Sequence, residues 1–583
     1  MNRRQFIQLM AIAGATGLLP KSSFAAQKLP TDIYEVPPFG QIRLLHITDC
    51  HAQLLPVYYR EPHVNLGIGE RQGRAPHLVG DKLLQHFGIQ PNSLEAHAFT
   101  HLNYIDAAHK YGKVGGFANL ATLIKRLRDS YGEKTLLLDG GDTWQGSGTA
   151  YWTRGQDMLG ATNLLGVDVM TGHWEFTYRA EEVLANIKKF TGEFVAQNVF
   201  VKEEALFDDA PAFDEDSGLA FKPYTVRNLG GTLVAVIGQA FPYTPIANPA
   251  RFIPDWTFGI RENELQKLVN QIRLQEKPDV VVLLSHNGMD VDLKLAARVS
   301  GINVILGGHT HDGVPHPTEV KNNGGITLVC NAGSNGKFIG VLDFAVKNGQ
   351  VKDYQYRLLP VFSNLITADV EMQAYIDKVR APYHNQLHEK LAVAEEVLYR
   401  RGNFNGTFDQ LICDALRVQG DAQIALSPGF RWGTTVLPGQ DITLEHVLSQ
   451  TAITYPQTYV RNMSGKNIKL ILEDVCDNLF NLDPYRQQGG DMVRVGGMDY
   501  VCDPTQSMNQ RISNMTLDDG TLVDMNKQYK VAGWATVGNQ SKGKPVWEVV
   551  VDYLRDRKTA KLDKLNTPKI LDIDVQKNNF IKT

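Results

Sequence analysis

The sequence predicts an α/β domain followed by an α+β domain, and two observations support this prediction. Between about residues 40 and 360, short apolar runs alternate with helix-like periodicity, which is typical of a sheet covered by helices. From Gly402 to about residue 575 the order is less regular, with helical patterns over 409–418 and 467–476. A chain of 583 residues is also too long for one hydrophobic core, so two large domains are expected.

The composition is that of a globular protein and argues against two broad classes. Hydrophobic residues make up 43% of the chain and charged residues 21%. A formal net charge of −4 argues against a general nucleic-acid binder. Five cysteines, an odd number without zinc-finger spacing, argue against a disulfide scaffold. Pairing of Cys413 with Cys476, or of Cys476 with Cys502, stays open at this point, and Cys50 is interpreted as a small buried residue.

The N-terminus predicts export. Arg3 and Arg4 precede an apolar stretch over residues 9–19, and small residues follow, as in a signal peptide covering residues 1–26. The apolar stretch is too short for an ordinary transmembrane helix. The arginine pair favours the Tat route, with an ordinary secretion signal and a chance pair as the alternative. We therefore expect the mature protein in the periplasm, without stable membrane association.

Five apolar, strand-like runs each end in residues that commonly bind metals. Runs such as 42–47, 136–138 and 280–284 are typical of buried strands. Loops at strand ends carry the chemistry in α/β sheets, so we expect these residues to meet at one edge of the sheet. The candidate metal ligands are two carboxylates and five imidazoles, namely Asp49, His51, Asp142, His173, His286, His309 and His311.

The spacing of these candidates suggests two metal ions. Asp49 and His51 are two residues apart, as are His309 and His311, and alternate residues of an extended loop point to the same side. Asp142 follows two glycines and is the candidate to bridge two cations. One histidine alone is more often a hydrogen-bonded structural residue, but five such segments together predict a dinuclear hydrolytic centre. Mixed nitrogen and oxygen ligands suit Mn, Zn, Fe or Co better than Ca or Mg.

Further patterns predict the domain organisation. The apolar stripe over 117–128 predicts a helix, whereas 51–113 is rich in Gly, Pro and His and is interpreted as an insertion over the catalytic edge. We expect a catalytic domain over 27–365, a linker helix over 366–400 and a C-terminal substrate-binding domain over 401–583.

The motifs around the candidate ligands resemble those of the two-domain 5′-nucleotidase family. That family joins a calcineurin-like metallophosphoesterase domain to a substrate-binding domain. The resemblance implies a four-layer α/β/β/α N-terminal domain and an α+β C-terminal domain of 5′-nucleotidase type. The motifs that carry it are Leu45-His46-Ile47-Thr48-Asp49-Cys50-His51, Gly115-Gly116-Phe117, Gly141-Asp142-Thr143-Trp144-Gln145-Gly146-Ser147, His286 and Gly308-His309-Thr310-His311.

One motif departs from the family pattern Gly-Asn-His-Glu-Phe-Asp. At this place the chain reads Gly172-His173-Trp174-Glu175-Phe176-Thr177. The metal-binding asparagine of the family is replaced by His173. The family histidine that stabilises the transition state and the leaving group is replaced by Trp174. An alkoxide is a poor leaving group that needs such help, so we expect poor hydrolysis of phosphoesters.

This variant motif resembles the SoxB branch of the family, together with Ser427-Pro428-Gly429-Phe430-Arg431-Trp432-Gly433 and Gly489-Gly490-Asp491-Met492-Val493-Arg494-Val495-Gly496-Gly497. The resemblance implies a periplasmic thiosulfohydrolase with two Mn²⁺, although Zn²⁺ would also suit the residues. Its substrate would be the cysteine S-thiosulfonate on the SoxYZ carrier protein, from which metal-activated water releases sulfate. A persulfide leaves more easily than an alkoxide, because even a cysteine thiol has a pKa of about 8.5. A periplasmic 5′-nucleotidase-like phosphoesterase is the alternative, and a non-catalytic metal-binding protein is a third hypothesis.

The resemblance also implies roles for individual residues. One metal would be bound by Asp49, His51, Asp142 and His311, and the other by Asp142, His173, His286 and His309. The candidate catalytic residues are Asp142, Arg431 and Trp174. Arg431 would hold the anionic substrate by a forked contact, with an interdomain salt bridge as the alternative, and Arg494 is a weaker candidate. Trp174 would line a channel for the carrier arm or pack in the core. Residues 405–408 lack the arginines that nucleotidases use there.

Overall fold

The computed structural model describes residues 32–538 and 540–571, and the predicted signal peptide lies outside them. A short 3-10 helix spans Asp32–Tyr34. The chain from Pro37 onward forms one compact unit that contains both predicted domains. Within the described ranges, no helix has both the length and the apolar character needed to cross a membrane.

Two six-stranded sheets form the centre of the N-terminal domain. The first contains, in spatial order, Gln350–Pro360, Phe338–Lys347, Ile42–Ile47, Thr135–Asp139, Val169–Met170 and Glu193–Phe194. The second contains Thr318–Asn322, Gly325–Asn331, Val304–Gly307, Val280–Ser285, Thr232–Gln239 and Tyr224–Leu229. A small two-stranded sheet pairs Phe200–Val201 with Trp256–Thr257. The predicted α/β class of this domain is confirmed.

The strands that precede the candidate ligands are divided between these two sheets. The strand Ile42–Ile47 pairs in parallel with Thr135–Asp139, which in turn pairs in parallel with Val169–Met170. In the second sheet, Val280–Ser285 pairs in parallel with Val304–Gly307. All five strands are fully buried, as the apolar runs predicted. The expectation of a single sheet edge was wrong, because the loops come from the strand ends of two sheets.

Helices account for most of the remaining regular structure of this domain. Their bounds are Gly80–Phe87, Leu94–Phe99, Tyr104–Tyr111, Phe117–Asp129, Gly148–Thr153, Gln156–Leu165, Ala180–Lys189, Glu203–Phe207, Thr244–Ala247, Glu262–Gln275 and Met289–Arg298. The helix predicted over 117–128 is confirmed. The stretch 51–113 contains three short helices, which are only about two turns long and therefore give little periodicity.

The linker helix expected over 366–400 is shorter in the structure. The helix Val370–Arg380 is followed by the 3-10 turn Ala381–Tyr383 and the single helical turn His384–Leu387. Pro382 lacks a backbone N–H and cannot continue a regular helix, which accounts for the break. The strand Lys390–Ala394 then pairs with Asp441–Thr443 of the C-terminal domain.

The C-terminal domain is α+β, as predicted. Its sheets contain, in spatial order, Thr458–Ser464, Gln528–Trp534, Ile424–Ser427 and Arg494–Gly496, then Asp441–Thr443, Lys390–Ala394 and Thr559–Ala560, then Ile512–Leu517, Met498–Cys502 and Lys569–Ile570. Its helices are Thr407–Gly420, Leu444–Thr451, Gly465–Phe480 and Val546–Arg557. The two helices predicted over 409–418 and 467–476 are confirmed. The second starts where the Ser464 side chain accepts the N–H of Asn467 as an N-cap.

Candidate metal centre

The structure brings all seven candidate ligands together. They form two groups of four, in each of which the possible ligand atoms lie within 4.8 Å of one another, namely Asp142, His173, His286 and His309, and Asp49, His51, Asp142 and His311. All seven residues are buried. Asp142 belongs to both groups, so the arrangement has the capacity for two cations on either side of this carboxylate. The individual ligand roles stay a prediction.

The carboxylate of Asp142 lies at the middle of the cluster. Its Oδ2 is 3.1 Å from Nε2 of His286, 3.2 Å from Nδ1 of His173 and 3.6 Å from Nε2 of His51. Three imidazoles from three loops thus converge on one oxygen atom. This geometry suits a carboxylate shared by two metals.

The second carboxylate of the cluster, Asp49, lies near His311 and His286. Its Oδ1 lies 3.2 Å from Nε2 of His311 and 3.6 Å from Nε2 of His286. Nε2 of His311 is in turn only 3.0 Å from Nε2 of His51. Asp49 also accepts hydrogen bonds from the backbone N–H of His309 at 3.0 Å. This carboxylate therefore fixes the loop that carries two of the candidate histidines.

The loops that present these ligands are not extended. Five of the seven candidates have left-handed backbone conformations with φ between 44° and 72°, namely Asp49, His51, Asp142, His309 and His311. The expectation that alternate residues of an extended loop point the same way was therefore wrong for both pairs. Left-handed conformations are uncommon for residues other than glycine and cluster at functional sites.

The donor set fits a pair of divalent cations. Nε2 of His173 and Nε2 of His309 are buried and have no hydrogen-bond partner among the described residues. Buried polar atoms are normally satisfied, so two unpartnered imidazole nitrogens in a cluster of seven candidate ligands are consistent with a cation-binding site. A nitrogen-rich set with two carboxylates suits transition-metal ions better than Ca²⁺.

Burial lowers the pKa of most of these imidazoles and so favours the neutral form, which binds metals. Burial lowers the pKa of His309 and His311 well below the usual value, which favours the neutral form that binds metals. Burial also acts to lower the pKa of His286, but the nearby Asp142 and Asp49 outweigh it and raise that pKa to about 10. Nδ1 of His286 faces the backbone oxygen of Gly140 at 2.7 Å, which orients the ring.

Glu175 is a site residue that the sequence reasoning missed. Its buried carboxylate accepts four backbone hydrogen bonds, from the N–H groups of Asp142 at 3.1 Å, Thr143 at 2.8 Å, Trp144 at 3.1 Å and His173 at 2.9 Å. One side chain thus joins two ligand loops. The available signal was its place in the variant motif, two residues after His173.

Trp174 lies in an aromatic cluster between the two domains. Its ring packs edge-on against Phe430 at 5.5 Å and Trp432 at 5.1 Å, and its side chain is 5% exposed. Its backbone N–H donates to Oδ1 of Asp142 at 2.6 Å. The structure therefore places the ring in a packed cluster beside the metal-ligand loops.

Two arginines of the C-terminal region reach the loop that carries His309. Arg431 donates to the backbone oxygens of Gly490 at 2.6 Å and His309 at 3.4 Å. Arg401, which the sequence reasoning missed, donates to the backbone oxygen of Thr310 at 3.0 Å.

The carboxylate of Asp491 forms ion pairs with both Arg431 and Arg401. The buried Asp491 lies 3.3 Å from Arg431 and 3.8 Å from Arg401. Arg494 is fully buried and pairs with Asp491 at 2.8 Å, so the structure places it behind the site.

A cleft lies beside these groups and holds about 590 Å³ of empty space, part of which is open solvent. Both domains line it, with His309, Thr310 and Asn287 on one side and Arg401, Arg431 and Gly489 on the other. The cleft gives a ligand access to one edge of the metal cluster, flanked by two guanidinium groups.

Comparisons with family models agree with this architecture. The model of the calcineurin-like phosphoesterases matches residues 42–313, and that of the 5′-nucleotidase C-terminal domain matches residues 391–549. Among curated proteins, the trifunctional nucleotide phosphoesterase protein YfkN of Bacillus subtilis (strain 168) is 28% identical over 497 residues, which cover 77% of this chain and 32% of YfkN. The snake venom 5′-nucleotidase of Gloydius brevicauda is 27% identical over 327 residues, or 52% of this chain and 53% of that protein. The chain thus spans about a third to a half of these relatives.

Solved structures cover more of the chain. The sulfate thiohydrolase SoxB of Thermus thermophilus, in complex with glycerol, is 33% identical with a TM-score of 0.86, covering 92% of this chain and 98% of that one. A 5′-nucleotidase precursor, also from Thermus thermophilus, is 22% identical with a TM-score of 0.71, covering 91% and 99%, and shows the shared fold. The chain therefore belongs to the calcineurin-like metallophosphoesterase family, in the two-domain form with a 5′-nucleotidase C-terminal domain, and is a hydrolase of that family.

Proposed function

We propose that the protein is a periplasmic thiosulfohydrolase, which releases sulfate from a cysteine S-thiosulfonate on a carrier protein of the SoxYZ type. The similarity to SoxB of Thermus thermophilus supports this, because it reaches 33% identity and covers both chains almost completely. The relatives named for nucleotides are 28% identical or less in the comparisons described above.

The position of Trp174 is the observation that carries the proposal. The ring lies directly beside the ligand loops, at the place where the family pattern has an imidazole. An indole ring cannot take up or release a proton at neutral pH, so it cannot protonate an alkoxide leaving group. A persulfide departs as a stable anion and does not need that proton. The site is thus suited to a sulfur leaving group.

The reaction is a hydrolysis in which atoms and charges balance. Water adds its oxygen to the terminal sulfonate sulfur, and the bond between that sulfur and the next one breaks. The electron pair of the broken bond stays on the sulfur attached to the cysteine, which leaves as a persulfide. The products are sulfate and the persulfide of the carrier, with the protons of water passing to solvent.

The residues of the site would bind the metal ions and orient the substrate for this reaction. When bound, two Mn²⁺ ions, or Zn²⁺ as the alternative, would lower the pKa of a water molecule and neutralise charge on the sulfonate oxygens. Asp142 would bind both ions, and the other six candidate ligands would complete their coordination. Arg431 lines the cleft beside His309 and is oriented by Asp491, so its guanidinium would attract the anionic group of the substrate.

The lining of the cleft also favours a peptide-borne group over a nucleotide. A nucleobase is commonly held by stacking on aromatic rings. The side chains described along this cleft include one phenyl ring, Phe480, and neither tyrosine nor tryptophan. Amide side chains line much of it, namely Asn65, Asn287, Asn403, Asn478 and Gln487. Amides suit the hydrogen-bonding groups of a peptide backbone.

A direct assay tests the proposal. The purified full-length protein, supplied with Mn²⁺, is incubated with carrier that bears the S-thiosulfonate arm, and sulfate is measured. A parallel reaction measures phosphate released from nucleoside monophosphates. We expect sulfate release and, at most, weak phosphate release. Phosphate release without sulfate release would establish the phosphoesterase alternative, and two bound metals without either product would favour a binding protein.

A further inference from the structure

Two buried cysteines face each other in the C-terminal domain. Cys476 lies in the last turns of the helix Gly465–Phe480, and Cys502 ends the strand Met498–Cys502. Their sulfur atoms are 3.7 Å apart, and both side chains are buried in the same hydrophobic core. Cys50, Cys330 and Cys413 are also buried, but across the described part of the chain only this pair shows contact between cysteine sulfurs.

We propose that Cys476 and Cys502 form a disulfide in the exported protein. A disulfide has an S–S distance of about 2.05 Å, so the two sulfurs need to approach by less than about 2 Å. Oxidising compartments outside the cytoplasm favour this bond. Each sulfur loses its proton as the bond forms, and the two electrons pass to a protein disulfide of the thiol–disulfide oxidoreductase class, which becomes a dithiol. Because both sulfurs are buried, this exchange requires a local opening of this part of the core.

The cross-link would join the two ends of a functional segment. The residues between the cysteines carry much of the C-terminal wall of the cleft, including Asn478, Gln487, Gly489 and Asp491. Gly489 lies so close to His309 that an added Cβ would be only 1.8 Å from Nε2 of that histidine. The cross-link would therefore close a loop whose tip lies against His309. A disulfide across 26 positions of sequence restricts the unfolded chain and stabilises the folded segment.

Thiol counting tests the proposal. The full-length protein is isolated after export, denatured without reductant, and titrated with a thiol-specific reagent. The disulfide removes two of the five thiols, so three are expected, and five are expected after reduction. Peptide mapping without reduction should then show the peptides of Cys476 and Cys502 joined. Five free thiols in the exported, unreduced protein would overturn the proposal.

Two matched variants locate the bond. Cys476→Ser releases Cys502, so the unreduced count should rise to four, whereas Cys413→Ser should lower it to two. Peptide mapping of the wild-type protein gives the same information if a variant fails to fold. We also expect reductant to lower the thermal midpoint of the wild-type protein by roughly 5 °C or more, with no such shift in Cys476→Ser. An equal shift in both proteins would contradict a stabilising role for this bond.

Discussion

Oε2 of Glu175 lies 3.1 Å from the backbone nitrogen of Asp142 and accepts its hydrogen bond. The same oxygen accepts the N–H of His173 at 2.9 Å, so one carboxylate orders ligand loops from two different strands. Glu175 is buried, and its carboxylate accepts hydrogen bonds from backbone N–H groups. Its contribution is to hold Asp142 where three imidazoles can reach it.

Replacement of Glu175 by glutamine should weaken metal binding. The amide NH₂ group would face backbone N–H groups and cannot accept their hydrogen bonds, so the loops lose their common anchor. Removal of such an outer partner typically reduces metal affinity by about 10- to 100-fold. Titration with Mn²⁺ and measurement of bound metal would show this. Glu182→Gln, which removes a half-exposed partner of Arg154, serves as the control and should bind metal normally.

Replacement of Asp142 by asparagine should abolish both metal binding and turnover. The carboxylate belongs to both ligand groups, and a neutral amide cannot balance the charge of two cations. Metal content and sulfate release are the measurements. Asp157→Asn changes another buried carboxylate, outside the cluster, and should retain two metals. An Asp142→Asn protein with two metals and full activity would show that the assignment of this residue is wrong.

Replacement of Trp174 by histidine tests the link between this position and the leaving group. An imidazole beside Asp142 could protonate an alkoxide, and general acid catalysis typically contributes about 10²- to 10⁴-fold. We therefore expect phosphate release from nucleoside monophosphates to rise at least about tenfold above the wild-type level. Trp174→Phe keeps an aromatic ring against Phe430 and Trp432 but supplies no acid, so it should show no such gain.

Loss of Arg431 should impair catalysis, whereas loss of Arg494 should impair stability. Arg431 lines the cleft, so Arg431→Gln should lower kcat/KM by about 10- to 100-fold, mainly through KM, with a small change in stability. Arg494 is fully buried, pairs with Asp491 and donates to two backbone oxygens, those of Gly402 and Phe404. Arg494→Gln therefore removes a buried ion pair and leaves these oxygens without their donor. This should destabilise the fold by about 3–5 kcal/mol. Kinetics combined with denaturant unfolding separate the two outcomes, and equal stability losses would contradict the distinction.

Removal of metal should destabilise the N-terminal domain. Five imidazoles and two carboxylates are packed together, and bound cations would satisfy nitrogen atoms that have no other partner among the described residues. A ligand present at a hundred times its dissociation constant stabilises the folded state by about 2.7 kcal/mol. Thermal unfolding with and without a chelator should show a corresponding fall in the midpoint. Asp142→Asn should show no chelator-dependent shift, and a shift in that variant would place the effect elsewhere.

The clustering of the ligands could be predicted because each follows a buried strand. The runs before Asp49, Asp142 and His286 are apolar and short, and strand ends of parallel sheets bring their loops together. The conformations of those loops could not be predicted in the same way. Asp49 and His309 adopt left-handed φ angles that non-glycine residues rarely take, and only the surrounding tertiary contacts impose them.

Three further features of the structure differ from the sequence-based predictions or were missed by them. The role of Glu175 depends on two loops that meet only in the folded protein, so no local pattern reveals it. The break of the predicted linker helix near Pro382 did have a local signal, because proline cannot donate the hydrogen bond that a continuing helix requires. The division of the ligand strands between two sheets follows from pairings that are distant in sequence, such as Leu45 with Val341.

The hydrogen bonds from Arg401 and Arg431 to the backbone of Thr310 and His309 have a genetic consequence. Two parts of the gene that are far apart encode a single catalytic loop and its support. In a random mutagenesis screen, lesions at Arg401 or Arg431 should therefore lower turnover, although both residues lie outside the N-terminal domain. For the same reason, a gene divided between the two domains should complement only when both products are made together and reassociate.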